Sequence, residues 1–222
     1  MRKVIASAFV SLDGIMQAPG GPQEDPTGGF KYGGWTAPYF DEILGQVMTE
    51  AFAKPFELLL GRKTYEIFAA HWPYEEGGED DFIAKLFNKT KKYVATGSTA
   101  PLSWNNSVAM HNPAKDIARL KEGDGPDLLI QGSSVLTHTL LNQDLIDRIS
   151  LLVFPVVLGS GKRFFADGAA AKALKLESSK TSSTGVTVVT YVPDGAVKTG
   201  SFAMQEPSKA ELERRERMQR EG

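Results

Sequence analysis

The residues best equipped for chemistry in this chain stand where apolar runs meet glycine. In LLLGRKTYE, Leu58 to Glu66, three leucines lead into Gly61, Arg62, Lys63 and Thr64. The pattern reads as a buried strand turning sharply into a helix whose first N–H groups point outward. A helix start carries roughly half a positive elementary charge, and two full cations stand beside it. The chemistry implied is anion binding, foremost of a phosphate, although a strand–helix turn with solvated cations would show the same four letters. A second junction, Gly132-Ser133-Ser134-Val135, follows the run Asp127 to Ile130, and Thr96-Gly97-Ser98 closes the run that begins at Lys92. Ligands gather at the carboxyl ends of strands in a parallel sheet, so all three stretches would converge on one edge. A dinucleotide supplies the anions for such an edge: Gly132 lets backbone approach a pyrophosphate, and Ser133 and Ser134 donate beside the helix amides.

Those junctions need a framework, and the pattern supplies one. Val4 to Val10 fits a central strand buried on both faces. The segment from Ser11 to Trp35 is rich in glycine and proline and has no periodicity. A structureless loop of that length inside a compact domain is usually functional, and Asp13-Gly14 is a turn signal within it. Thr36 is then expected to cap a helix with Pro38 in its first turn, its apolar stripe running from Phe40 through Leu44 and Met48 to Ala51. The spacing predicts strands over Glu57–Leu60, Lys92–Thr96, Ser107–Met110, Asp127–Ile130 and Arg148–Leu158, with helices between, among them Thr64–Ala70 and one begun by Asn112-Pro113 as cap and first residue. Leu174–Lys180 and Val186–Val192 close the chain around a turn at Thr184-Gly185. Strands alternating with helices, then strands alone, imply an α/β fold: a mostly parallel central sheet with helices on both faces and an antiparallel C-terminal hairpin. From Pro207 the tail is charged all round, which fits a solvent-facing helix or a disordered end.

Bulk properties narrow the function. The chain has 222 residues, 41% hydrophobic and 23% charged, with a net charge of −2. A pI near 6.0 gives no general attraction to nucleic acid or anionic membrane. The absence of cysteine excludes disulfides, thiol catalysis and thiolate metal ligation. The three histidines, His71, His111 and His138, lack metal-motif spacing, so no metal is expected. His138 falls within a helix and reads as a packing residue before a base. Gly159-Ser160-Gly161-Lys162 resembles part of a P-loop, but Val156 stands where that motif needs glycine and Arg163 where it needs Ser or Thr. No run approaches about 18 apolar residues, and MRKVIASAFV is cut by Ser7 and followed at once by Ser11 and Asp13, so a cytoplasmic location is expected.

The order SLDGIM, LLLGRKTYE, KYVATGS, LLIQGSSVLTHTLL and IDRISLLVFPVVLGSGKRFF resembles the dihydrofolate reductase-like superfamily, and within it the reductase (RibD C-terminal) domain of riboflavin biosynthesis and its stand-alone relatives. The resemblance spans residues 1–193 as one reductase domain and leaves 194–222 as a charged extension. It implies NADPH as cofactor: Gly61, Arg62, Lys63 and Thr64 on the adenosine-side phosphates, Thr96, Gly97 and Ser98 along the adenosine, and Gly132, Ser133, Ser134 and Val135 on the pyrophosphate. Ala6, Ser7 and Ile15 would wall the nicotinamide. It also implies a homodimer. In folate-reducing members a carboxylate near the start of the first helix polarises the pterin. Asp41 takes that place here as catalytic and substrate-binding residue, or is a helix-start carboxylate favoured by the dipole. Asp13 and Arg163 would bind substrate, or serve a turn and a surface loop. The chain departs from the family pattern at Gln131-Gly132, where paired glycines are common, and in the length of its first loop.

The expected activity is therefore hydride transfer to a C=N or C=O group of a small heterocyclic or sugar-derived substrate. A nucleotide-binding module of the same fold without catalysis is the alternative, favoured by the want of an unmistakable catalytic acid.

Overall fold

The computed structural model describes residues 1–78, 81–165, 167–203 and 206–221. Eight strands form one sheet in the order β4-β3-β2-β5-β1-β6-β8-β7. They are β1 (Val4–Ser11), β2 (Phe56–Gly61), β3 (Lys92–Ala95), β4 (Ser107–Met110), β5 (Asp127–Gln131), β6 (Arg148–Phe154), β7 (Leu174–Thr181) and β8 (Thr187–Pro193). Pairing is parallel from β4 through β6 and antiparallel at β6–β8 and β8–β7. The helices are α1 (Glu42–Phe52), α2 (Arg62–Ala69), α3 (Asp81–Lys89), α4 (Pro113–Glu122), α5 (Ser134–Leu141) and α6 (Lys209–Glu221).

Central strands with helices on both sides must be apolar on both sides, and β1 is. Val4, Ala6, Ala8 and Val10 face the core shared with Ile117 of α4 and Leu136 and Leu140 of α5. Ile5 points the other way, toward the cluster of Phe52, Tyr65 and Phe87 from α1, α2 and α3. Lys92, fully buried at the start of β3, gives its ammonium to the carbonyls of Asn88, Thr90 and Asn105 and sits 4.2 Å over the Trp104 ring. Burial pushes its pKa down to about 8.

Three boundaries differ from expectation for local reasons. Thr36 does not cap the first helix. Its hydroxyl donates to the Pro19 carbonyl at 2.7 Å, Ala37–Tyr39 make a separate 3-10 turn, and Asp41 caps α1 by accepting from Leu44 N–H. The strand expected to reach Leu158 stops at Phe154, because Pro155 has no N–H for the ladder. The helix expected to begin at Thr64 begins at Arg62, directly after Gly61.

The long first loop is a folded layer. Ile15, Ala18, Phe30 and Trp35 are buried against Phe154 and Leu152 of the sheet. Trp35 Nε1 donates to the Gln17 carbonyl at 2.8 Å, and Gln17 Nε2 to the carbonyls of Asp25 and Thr27. Ile15 bridges to Arg163, and Lys162 pairs with Asp25. This ties the loop after β1 to the loop after β6 at the same sheet edge.

Candidate functional site

At the carboxyl edge of the parallel strands lies a cleft of about 2280 Å³. Its deep wall is where β2 and β5 hand over to α2 and α5. Gly61 is extended, with φ −72° and ψ 155°. The chain turns at Gly132, φ +69°, and at Ser133, φ 54°, before α5 begins. Glycine tolerates that left-handed region freely, whereas serine does not. The reason for holding Ser133 there is visible. Its hydroxyl accepts the Gly61 N–H at 2.8 Å and donates to Thr64 Oγ1 at 2.8 Å. A side chain on Gly61 would itself meet that hydroxyl, at 3.3 Å. The two junctions are thus joined through one serine.

Neither α2 nor α5 has a side-chain cap on its N-terminal amides, whereas α1 and α4 are capped by Asp41 and Asn112. The first N–H groups of a helix have no intrahelical acceptor, so two sets of amides face the cleft for an external anion. Lys63 is exposed beside them, and Arg62 is half-buried. Arg62 is partly engaged: Nε meets Glu66 at 2.6 Å and Nη1 the Ala100 carbonyl at 3.2 Å, leaving Nη2 for a ligand.

Of the expected residues, Gly61, Arg62, Lys63, Thr64, Thr96, Gly97, Gly132, Ser133, Ser134, Val135 and Arg163 line this cleft. Ala6, Ser7, Ile15 and Ser98 do not. Ala6 and Ile15 are wholly buried in the two cores, and Ser7 contributes its carbonyl, which accepts from Gly132 N–H at 2.9 Å. The wall expected from them is built slightly further along the chain, by Ala8, Phe9, Met16 and Gln17. Ser98 turns back, its N–H on Thr96 Oγ1 at 3.0 Å.

Both expected carboxylates also stand outside the cleft lining. Asp41 caps α1, and its other oxygen accepts from the amide and hydroxyl of Ser183 in the β7–β8 turn. Those bonds, the Ser183 hydroxyl foremost, hold its pKa below the ordinary value. Asp13 receives the Ser11 hydroxyl at 2.6 Å and the N–H groups of Leu158 and Gly159. Burial would raise its pKa, but these donors outweigh that and bring it to about 2. Arg163 reaches the cleft while its guanidinium donates to the Asp13 carbonyl.

Sequence reasoning gave no place in the site to Gln17, Glu24, His71, His111 or Lys162, which also line the cleft. Glu24 accepts from Gly20 N–H at 2.6 Å and Gly21 N–H at 3.3 Å, and burial pushes its carboxyl pKa up. His111 Nδ1 lies 2.9 Å from the Thr96 carbonyl. No spacing marks these residues, because separate loops bring them together. His138 is a packing residue, its Nε2 2.5 Å from the Phe164 carbonyl.

Comparison with known proteins agrees with this architecture. The uncharacterized protein YyaP of Bacillus subtilis (strain 168) is 28% identical over 195 residues, covering 86% of this chain and 94% of YyaP. A putative riboflavin biosynthesis protein from Shewanella sp. PV-4 superposes with a TM-score of 0.57 at 19% identity, over 86% of this chain and 99% of that one. Dihydrofolate reductase from Enterococcus faecalis, solved with NADP(H), gives 0.52 at 12% identity over 86% and 96%. The fold is thus dihydrofolate reductase-like, a reductase-type scaffold. The model of the RibD C-terminal domain matches residues 2–188, a stretch that carries β1 to β7, the start of β8, the two uncapped helices and the cleft, and the chain belongs to that family.

Proposed function

We propose that this protein is an NADPH-dependent reductase acting on a C=N or C=O group of a small molecule. One observation carries the reading: Ser133 joins the β2–α2 and β5–α5 turns, so that two uncapped helix starts and two cations share one cleft. The groups present fit a dinucleotide phosphate. Gly132 to Val135 offer amides, and Ser134 its hydroxyl, to a pyrophosphate. Lys63 and the free edge of Arg62 suit the dianionic 2′-phosphate. Gly97 has open space where a side chain would stand, leaving room for an adenine beside Thr96.

When bound, the nicotinamide supplies a hydride from C4 to the substrate carbon, and NADPH becomes NADP⁺. The chain's part is positioning and exclusion of water. Ala8, Phe9 and Met16 make an apolar wall, and Gln17 is fixed by Asp25, Thr27 and Lys162 so that the first loop stays over the cleft. The proton that completes reduction comes from water, since the Asp41 carboxylate is committed to α1 and Ser183. By family likeness the protein works as a homodimer on a small-molecule substrate; its pI near 6.0 speaks against a nucleic-acid partner, and a cytoplasmic location belongs to the same proposal. Among the described residues no helix is long and apolar enough to cross a membrane.

Thermal denaturation with millimolar NADPH tests the cofactor: a ligand at about 100 times its Kd stabilises by about 2.7 kcal/mol, and absence of any shift refutes the assignment. The second reading, a nucleotide-binding module without catalysis, is favoured by the engagement of Asp13 and Asp41 with backbone amides. Single-turnover oxidation of bound NADPH across pterins and pyrimidinone sugars separates the two.

A further inference from the structure

Parallel pairing brings three strand ends level at one side of the cleft. Gly61, Ala95 and Met110 stand in register across β2, β3 and β4, so the next residues, Arg62, Thr96 and His111, leave the sheet together. All three line the cleft. Neighbouring strands lie about 4.8 Å apart, which sets Arg62 and His111 on either side of Thr96-Gly97 with roughly 10 Å between their strands. Gly97 leaves that gap open, with nothing within 4 Å of where a side chain would stand. Both flanking residues also hold the loop between them. Arg62 Nη1 donates to the Ala100 carbonyl at 3.2 Å, and His111 Nδ1 lies 2.9 Å from the Thr96 carbonyl.

The second contact fixes the chemistry of the exposed His111 ring. A carbonyl oxygen only accepts, so Nδ1 carries the hydrogen and Nε2 is the nitrogen left to gain or lose a proton. Neutral, Nε2 offers a lone pair, which repels a phosphate oxygen. Protonated, it is a cationic donor across the gap from Arg62. A dianion between the two favours the protonated ring, and histidine is the side chain able to make that change near neutral pH. The charged groups on the surrounding elements are Arg62, Lys63 and Glu66 toward the start of α2, and Lys115 and Asp116 at that of α4. Glu66 is taken by Arg62, Lys115 and Asp116 are of opposite sign, and residues 96–100 carry no charge.

We propose that His111 reads the 2′-phosphate of NADPH: the cofactor binds with the ring protonated and Nε2–H donating to a phosphate oxygen, so preference over NADH grows as the pH falls. Binding draws that proton from the buffer, and no covalent bond of the cofactor changes. This rests on the NADPH reading of the same cleft.

The test is calorimetric titration of the full chain with NADPH and with NADH, from about pH 8.5 to about pH 6.5. Each titration is run in two buffers of different ionisation enthalpy, which counts the protons taken up. The ratio of NADPH to NADH affinity should rise roughly tenfold across that span, with greater proton uptake for NADPH than for NADH. His111→Gln cannot titrate, so its ratio should keep only the pH dependence of the phosphate itself. His111→Arg, always charged, should show at about pH 8.5 the ratio that wild type reaches at about pH 6.5. Dividing by the NADH affinity removes any change a variant makes to the half of the site both cofactors share. A wild-type ratio indifferent to pH, equal proton uptake for the two cofactors, or the same rise in His111→Gln overturns the proposal. Any of these with NADPH still bound sinks this inference alone, whereas no binding of either cofactor sinks the NADPH reading with it.

Discussion

Removing the Ser133 hydroxyl tests whether one side chain holds the two phosphate-facing turns together. In Ser133→Ala, Gly61 N–H and Thr64 Oγ1 each lose a partner at 2.8 Å. A hydrogen bond contributes a net of about 0.5–1.5 kcal/mol, and a stranded buried donor costs about 1–3 kcal/mol. Ser133 is only 8% exposed, so water replaces little of this, and the expected loss is about 2 kcal/mol. For a chain of this size that lowers Tm by roughly 4–8 °C. Ser133→Gly loses the same bonds but relieves the left-handed backbone, φ 54°, returning about 1 kcal/mol. The order of stability should be wild type, then Ser133→Gly, then Ser133→Ala, measured by urea unfolding. Calorimetric titration should show both variants binding NADPH more weakly, and to a similar extent, because both free the turns from one another. Ser133→Ala within about 0.5 kcal/mol of wild type, a difference typical of an uninvolved surface site, refutes the clamp. Lost stability with unchanged NADPH affinity refutes its part in the cradle.

Four further outcomes are expected. Lys63→Ala should weaken NADPH about tenfold or more while leaving NADH nearly unchanged, since a charge-assisted bond contributes about 1.5–3 kcal/mol; competitive titration of the two cofactors checks it. Glu66→Gln should tighten NADPH by releasing Arg62 Nε, now 2.6 Å from that carboxylate, and the same titration reads it. Gly161→Ala should destabilise by about 1–3 kcal/mol, as overpacking does, because its Cβ would meet Ile15 Cγ2 at 2.8 Å and the Phe30 ring at 3.0 Å with φ at +129°; urea unfolding measures this. Asp13 has a folded pKa of about 2 against an ordinary value of 3.8, so its stabilisation is complete above about pH 4 and is lost as pH falls toward 2. Asp13→Asn should flatten that acid arm in a plot of Tm against pH.

Much of the frame was legible because local rules and the tertiary fold agree. Leu58–Leu60 form a strand buried on both faces, Asn112-Pro113 begins α4 as cap and first residue, and the terminal hairpin pairs antiparallel. The failures share a cause. Thr36 has the chemistry of a cap, yet a carbonyl 17 residues earlier claims its hydroxyl. Asp41 was legible as a helix-start carboxylate, but its second set of bonds comes from Ser183, which no local window contains.

By itself the sequence determined which strands turn into which helices, where bare amides and cations stand, and that several junctions share the carboxyl edge of a parallel sheet. Parallel pairing of the strands fixes that edge. Only the tertiary structure decided that Ser133 spends its hydroxyl on Gly61 and Thr64, and that Ala8 and Met16 replace Ala6 and Ile15 on the cleft wall. Those outcomes depend on the register and approach of segments far apart in the chain, 72 residues for Gly61 and Ser133, and a chain's local chemistry carries no record of distances across that gap.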